Sequence, residues 1–174
     1  YRTEKDIAAD AGSLAHAAVE AWVNNGEDGW FQWVGEPEVQ EKAKIAYGAF
    51  LDWAQQTSLR VTHQELELVS QKYKYGGCFD SLLVGQDGKR SMGDWKTSGN
   101  VYTEYMLQIA AYGRLWEENF PDDPITGGFH LLRFDKKHGD FHHHWWSELD
   151  DAWEAFLHLR ALYDLDKKIK ERAK

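Results

Sequence analysis

Two short stretches, YGGCFD at residues 75–80 and GDWKTS at residues 93–98, carry the most informative pattern in this chain. The aromatic and aliphatic side chains around them favour β-structure, so we predict a strand over 72–84, bent at the glycine pair, and another over 89–97. The Asp-Gly pair at 87–88 is typical of a tight hairpin turn. Because side chains alternate along a strand, Asp94 and Lys96 are expected to share one face, with Trp95 on the other.

Hydrophobic periodicity predicts the elements on either side of these stretches. Helices are predicted over 7–24, 36–56, 101–119 and from a cap at 147–150 to about 171, and further strands over 61–69, 128–134 and 139–146. The last helix is expected to bury Leu149, Trp153, Phe156, Leu157, Leu159 or the stem of Arg160, and Tyr163. This order predicts an α/β fold with a central mixed sheet flanked by helices, in one domain spanning 1–174.

The strand predicted at 61–69 carries two glutamates on its polar positions. Simple alternation places Glu65 and Glu67 on one face together with His63, and Leu66 and Leu68 on the opposite face. Either glutamate could therefore reach a site built from the neighbouring strand.

Composition limits the class of protein. With 174 residues and 43% hydrophobic side chains, the chain is large enough for one core. Cys78 is the single cysteine, which excludes an internal disulfide and an iron–sulfur cluster held by this chain alone. No apolar run approaches the length of a membrane span, and the start is unlike a signal peptide. These features predict a soluble intracellular protein.

The charge distribution is uneven. A net charge of −9 is unlike that of a protein that coats nucleic acid. Residues 60–114, however, carry seven basic and six acidic side chains, so the segment with both stretches is slightly positive. Metal binding by some of those acids would make this segment more attractive to phosphate.

Asp80, followed after about a dozen residues by Asp94-x-Lys96, resembles the pattern of the PD-(D/E)xK nuclease superfamily, and DWKTS at 94–98 resembles its RecB/Cas4-like branch. GSLAH at 12–16 and QIAAY at 108–112 resemble two further elements of that branch, and they stand in the same order. The resemblance covers most of the chain and implies a restriction-endonuclease-like αβββαβ core. Phage-type and mitochondrial genome maintenance exonucleases are the most similar in size.

The resemblance also implies roles for particular residues. Metal ligands are implied at His16, Asp80, Asp94 and the backbone carbonyl of Trp95. Glu65, or else Glu67, is implied to assist the metal, and Lys96 to assist the attacking water. DNA contacts are implied at Gln108, Tyr112, Thr97 and Ser98. Hard carboxylate oxygens suit Mg²⁺ or Mn²⁺, as one or two ions, and an imidazole ligand adds to the case for Mn²⁺.

The function implied is a Mg²⁺- or Mn²⁺-dependent deoxyribonuclease, most similar to exonucleases that act on DNA ends, with single-stranded DNA favoured. Two alternatives stay open. The chain could be a non-catalytic nucleic-acid-binding module of the same fold, or the nuclease subunit of a larger repair complex. A recombination or replication protein is the expected partner class.

Overall fold

In the computed structural model, which describes residues 3–26 and 30–172, helices and strands follow one another in the predicted order. They are α1 (Glu4–Asn25), α2 (Pro37–Gln56), β1 (Arg60–Ser70), β2 (Tyr75–Val84), β3 (Arg90–Lys96), α3 (Thr103–Asn119), β4 (Ile125–Phe134), β5 (Phe141–Trp146) and α4 (Asp150–Arg172). Within the described ranges, no helix is both long enough and apolar enough to cross a membrane.

The strands form one five-stranded sheet in the order β1-β2-β3-β4-β5. Only β3 and β4 are parallel, joined by the crossover through α3, and the other neighbours are antiparallel. The predicted α/β fold with a central mixed sheet is thereby confirmed, and it is consistent with a restriction-endonuclease-like core.

Each face of the sheet carries its own core. Helices α1 and α2 cover one face, where Phe50 lies in the middle of a ring cluster with Trp53, Trp95 and Phe134. Helix α3 covers the other face through Ile109 and Trp116. These side chains form a core with residues of the sheet, namely Phe79, Leu82 and Met92, with Leu66 and Leu68 at the edge.

The boundary between β1 and β2 differs from the prediction. Residues 71–74 form a turn, so β2 begins at Tyr75, and the glycine pair lies in the ladder opposite Leu68 and Val69 rather than at a bend. The turn is held by Glu118 of α3, which accepts hydrogen bonds from the backbone N–H groups of Gln71 and Lys72. A carboxylate forty-six residues away therefore outweighs the local strand preference.

Helix α4 is much less buried than predicted. None of its residues is classed as buried. Trp153 and Phe156 pack on Tyr75, but Leu159 and Tyr163 are exposed. The reason is that only the first turns of α4 reach the β1–β2 hairpin and α3. The apolar side chains continue at helical spacing beyond these turns, where no other element packs against the helix in the described structure.

A buried histidine pair gives a prediction about stability. His130 on β4 is 7% exposed, and its Nδ1 lies 2.7 Å from Nε2 of His143 on β5. Burial, with His143 adding to it, lowers the pKa of His130 to about 4. Because an unfolded histidine titrates near pH 6.5, the unfolded chain takes up this proton first, and stability is lost as pH falls from about 6.5 to 4.

We expect urea unfolding to show a loss of roughly 2–3 kcal/mol from this group between about pH 7 and pH 4.5. The loss is measured as the difference in acid sensitivity between the wild type and His130→Gln, which cannot titrate. His142→Gln, on the exposed strand β5, serves as the control. Equal acid sensitivity in all three proteins would show that His130 is not the group responsible.

Candidate active site

The site lies where the ladder between β2 and β3 stops. These strands pair from Val84 and Arg90 to Ser81 and Gly93, although β3 continues to Lys96. Past this point the backbone N–H of Trp95 donates to Oδ2 of Asp80 at 2.7 Å. A side-chain carboxylate thus takes the place of a strand partner, which leaves Asp80 between the two strands.

Three side chains of types that can bind a metal ion meet there. His16 of α1, Glu65 of β1 and Asp80 of β2 each offer one ligand atom, and these atoms all lie within 4.8 Å of one another. Nδ1 of His16 is 3.9 Å from Oδ2 of Asp80. The residues come from three separate elements, so this cluster is a product of the tertiary fold.

Glu65 reaches this cluster through an unusual backbone conformation. Its φ is +48°, in the left-handed region that side chains other than glycine seldom adopt. Gln64 also faces α1, where it donates to the carbonyl of Glu20, while the His63 ring lies 5.4 Å from Trp116 of α3. The predicted common face for His63 and Glu65 is therefore wrong, because the backbone at Glu65 breaks the alternation. Such strain is common at functional sites.

The structure also separates the two glutamates that the sequence left open. Glu67 pairs across the ladder with Cys78 and is not part of the three-residue cluster found in the described chain. Glu65 belongs to the cluster, and its Oε2 accepts a hydrogen bond from Sγ of Cys78 at 3.5 Å. The geometry thus places Glu65, rather than Glu67, beside His16 and Asp80.

A chain of polar contacts runs from β3 to α3 beside the cluster. Nζ of Lys96 lies 3.0 and 2.8 Å from the two oxygens of Asp94 and donates to Oε1 of Gln108 at 2.8 Å. Nε2 of Gln108 in turn donates to the hydroxyl of Tyr112 at 2.8 Å. Asp94 and Lys96 share a face, as predicted, and Trp95 packs into the opposite core.

The electrostatics of the site favour a bound cation. Burial, followed by the charge of Asp80, raises the pKa of Asp94 to about 7, against the lowering effect of Lys96. Burial lowers the pKa of His16, although Asp80 raises it, so the imidazole has a free lone pair at neutral pH. Burial and Asp80 also raise the pKa of Glu65. The three carboxylates Glu65, Asp80 and Asp94 outnumber the ammonium groups of Lys96 and Lys136, and a divalent ion would offset the excess negative charge.

Asp94 shows whether the residues of the site are suited to a bound cation. The residue is fully buried, and in the described structure its two oxygens share the Lys96 ammonium, with no other donor to Oδ2. A buried carboxylate with one shared partner has further lone pairs that a cation can bind. Asp94 lies outside the 4.8 Å cluster but interacts electrostatically with Asp80. The donor set, three carboxylates and a neutral imidazole, is suited to Mg²⁺ or Mn²⁺.

Three other predicted site residues make contacts within the chain. The Trp95 backbone donates to Asp80 and also interacts with His16, whose pKa it raises. Thr97 accepts a hydrogen bond from Nζ of Lys136 at 3.3 Å, and the carbonyl of Ser98 accepts one from Arg133. These contacts order the backbone that follows β3.

Lys136 is a residue that the sequence patterns did not single out. Its half-buried ammonium donates to the carbonyl of Ala8 in α1 at 2.6 Å, and its charge lowers the pKa of His16. Gly12 makes room for this junction, since an added Cβ would lie 2.8 Å from Oγ1 of Thr97. Lys136 follows β4, and only the parallel pairing of β3 and β4 brings it near Thr97.

Comparison with known proteins supports the fold. Neither a protein-family model nor a curated protein sequence matches the chain. A solved structure from Eubacterium rectale, named as a candidate exonuclease, superposes with a TM-score of 0.60 at 13% sequence identity. The match covers 93% of this chain and 66% of the other, slightly under two thirds of its length. At this identity the similarity establishes a shared fold.

Proposed function

We propose that this protein is a metal-dependent deoxyribonuclease of the PD-(D/E)xK type, acting as an exonuclease on DNA ends with a preference for single strands. The observation that carries the proposal is the convergence of His16, Glu65 and Asp80 beside the ion pair of buried Asp94 and half-buried Lys96. The name of the structural neighbour adds support for action on nucleic-acid ends.

In this proposal Asp80, Asp94 and His16 hold the metal, with Glu65 beside them and the Trp95 carbonyl as a further ligand. A bound Mg²⁺ or Mn²⁺ supplies Lewis acidity toward the phosphate and lowers the pKa of an attacking water. The carboxylates would orient that water and accept its proton; as the new P–O bond forms, the P–O bond to the leaving 3′-oxygen would break, and that oxygen would take up a proton from solvent. Asp94 itself is fully buried, and the low-dielectric surroundings strengthen its electrostatic interactions.

Lys96 has the role of stabilising negative charge on the phosphate as it is attacked. Its ammonium is held in place by Asp94, by Gln108 and by the Tyr105 ring, whose centre is 4.9 Å from Nζ. A cation fixed in this way needs little reorganisation during the reaction. Gln108 and Tyr112 then position the DNA strand. Burial raises the pKa of Tyr112 to about 12, so its hydroxyl stays protonated and can donate to a phosphate oxygen. Thr97 and Ser98 extend the same DNA-binding edge.

The test is a time course on DNA labelled at the 5′ or the 3′ end. Single-stranded, double-stranded and closed circular substrates are each incubated with Mg²⁺, with Mn²⁺ or with EDTA. We expect linear DNA to be degraded only with metal, single strands fastest, and the circle to stay intact. Binding of DNA without cleavage under every metal condition would instead support a non-catalytic module of this fold.

A second measurement addresses partners. The acidic surface outside residues 60–114 is proposed to dock a recombination or replication protein. Sizing of the purified protein, alone and with such a protein added, should reveal a larger complex. Unchanged elution at micromolar concentrations would contradict this part of the proposal.

A further inference from the structure

An open groove lies beside the candidate site, between β2, α3 and α4. Its volume is about 500 Å³, within the range of sites that hold small organic molecules. The wall consists mainly of rings and aliphatic side chains, from Tyr75, Tyr105, Leu107, Tyr112, Phe156 and Leu159. Such a surface suits a flat, uncharged ring better than water.

The groove is continuous with the polar chain described above. Gln108 and Tyr112 line it, and the same Gln108 accepts a hydrogen bond from Lys96. Tyr105 also lines it while its ring contacts the Lys96 ammonium. A strand with a phosphate at Lys96 therefore has its adjoining nucleotide at the mouth of the groove.

Charge determines which part of that nucleotide fits. Glu104 is the charged residue of the lining, and no lysine, arginine or histidine of the described chain lines the groove. A phosphate would meet a carboxylate there without a cation to offset it, whereas a nucleobase carries no charge and can stack on tyrosine or phenylalanine. Arg160, the residue after Leu159 on α4, does not line the groove; its guanidinium donates to the carbonyl of Lys74 and pairs with Asp164.

The shape of the groove depends on the glycine pair. An added Cβ on Gly77 would lie 2.7 Å from Cε1 of Tyr112, so only glycine lets this ring lie flat against β2. On the opposite side the Phe156 ring contacts the Tyr75 ring at a tilt of 60°, with centroids 4.8 Å apart, and Leu159 of α4 stays 54% exposed. The side chain of Leu159 is therefore accessible to a ligand in the groove.

We propose that the groove binds one unpaired nucleobase of the substrate strand, next to the phosphate held at Lys96. The inference rests on the proposed function for the position of that phosphate. A base inside a duplex cannot enter the groove without leaving its stack, which costs free energy. The groove is therefore the element that favours single-stranded over double-stranded DNA.

The test measures binding rather than cleavage, in EDTA, with a fluorescent single-stranded 12-mer. A single abasic nucleotide is placed at each position in turn. We expect one position, or two neighbouring ones, at which loss of the base raises the Kd about tenfold, while other positions change it less than about twofold. Leu159→Glu, which places a carboxylate in the groove, is expected to raise the Kd of the intact 12-mer about tenfold and to abolish the extra penalty at the sensitive position.

Leu162→Glu is the matched control, because Leu162 is 61% exposed on the same helix and does not line the groove. It adds the same charge and is expected to leave both the Kd and the abasic profile unchanged. A uniform abasic profile, equal effects of the two glutamate variants, or no measurable binding would overturn the inference. If the protein cleaves DNA but its abasic profile is uniform, the base-binding role of the groove is wrong and the proposed nuclease function stands. If the abasic profile is position-specific but no DNA is cleaved, the nuclease function is wrong and the base-binding role stands.

Discussion

Asp94→Asn is expected to lower metal-dependent DNA cleavage by roughly 10³-fold, while the folded protein stays at least as stable. Activity falls because an amide oxygen is a poorer ligand for Mg²⁺ or Mn²⁺ than a carboxylate and cannot accept a proton from water. Asp94 is fully buried next to Asp80 and Lys96, so an asparagine of the same shape fits the same space.

The stability part of this prediction follows from the raised pKa of Asp94. An acid whose pKa rises on folding loses stability as pH increases, from its unfolded pKa near 3.9 to its folded value of about 7. At about pH 8 the ionised Asp94 therefore costs free energy in the metal-free protein, and the uncharged asparagine removes that cost. The amide still leaves Lys96 its hydrogen bond to Gln108.

Thermal unfolding at about pH 8 in EDTA, together with the cleavage rate in Mn²⁺, measures both parts. Asp122→Asn is the control, since Asp122 is an exposed acid in the loop before β4. It should leave both quantities unchanged. Cleavage by Asp94→Asn at more than about a tenth of the wild-type rate would contradict the assignment of Asp94 as a ligand.

Lys96→Met is the second change with a large expected effect, a loss of about 10²–10³-fold in cleavage rate. Methionine has a similar length but no charge, so negative charge on the phosphate would be left without its fixed cation. Here stability should also fall, by about 1–3 kcal/mol, because Asp94 loses its partner. The loss stays moderate since Asp94 can take up a proton.

The double variant of Asp94 and Lys96 distinguishes a joint role from two separate ones. If the pair acts as a unit, the double variant should be no more than a few-fold slower than the slower single variant. Lys89→Met is the control, because Lys89 lies in the exposed turn between β2 and β3. A double variant whose loss of cleavage rate equals the product of the two single losses would show that the residues contribute independently.

The sequence alone allowed prediction of the relations that depend on periodicity. A period of two placed Asp94 and Lys96 on one face and Trp95 on the other, and a helical spacing of four placed Gln108 beside Tyr112. The element order and the mixed sheet followed from the same periodicities. These relations hold because neighbouring residues on one element keep a fixed geometry wherever the element packs.

Other features of the site depend on contacts between distant segments. The left-handed backbone at Glu65 turned that side chain toward His16, against the alternation of β1. Glu118 held residues 71–74 as a turn, and parallel pairing of β3 with β4 brought Lys136 to Thr97. Each outcome depends on register and packing between elements far apart in the chain. Local sequence preferences do not encode such contacts: the resemblance implied Glu65 or else Glu67, and only the folded structure shows Glu65 beside His16 and an open groove nearby.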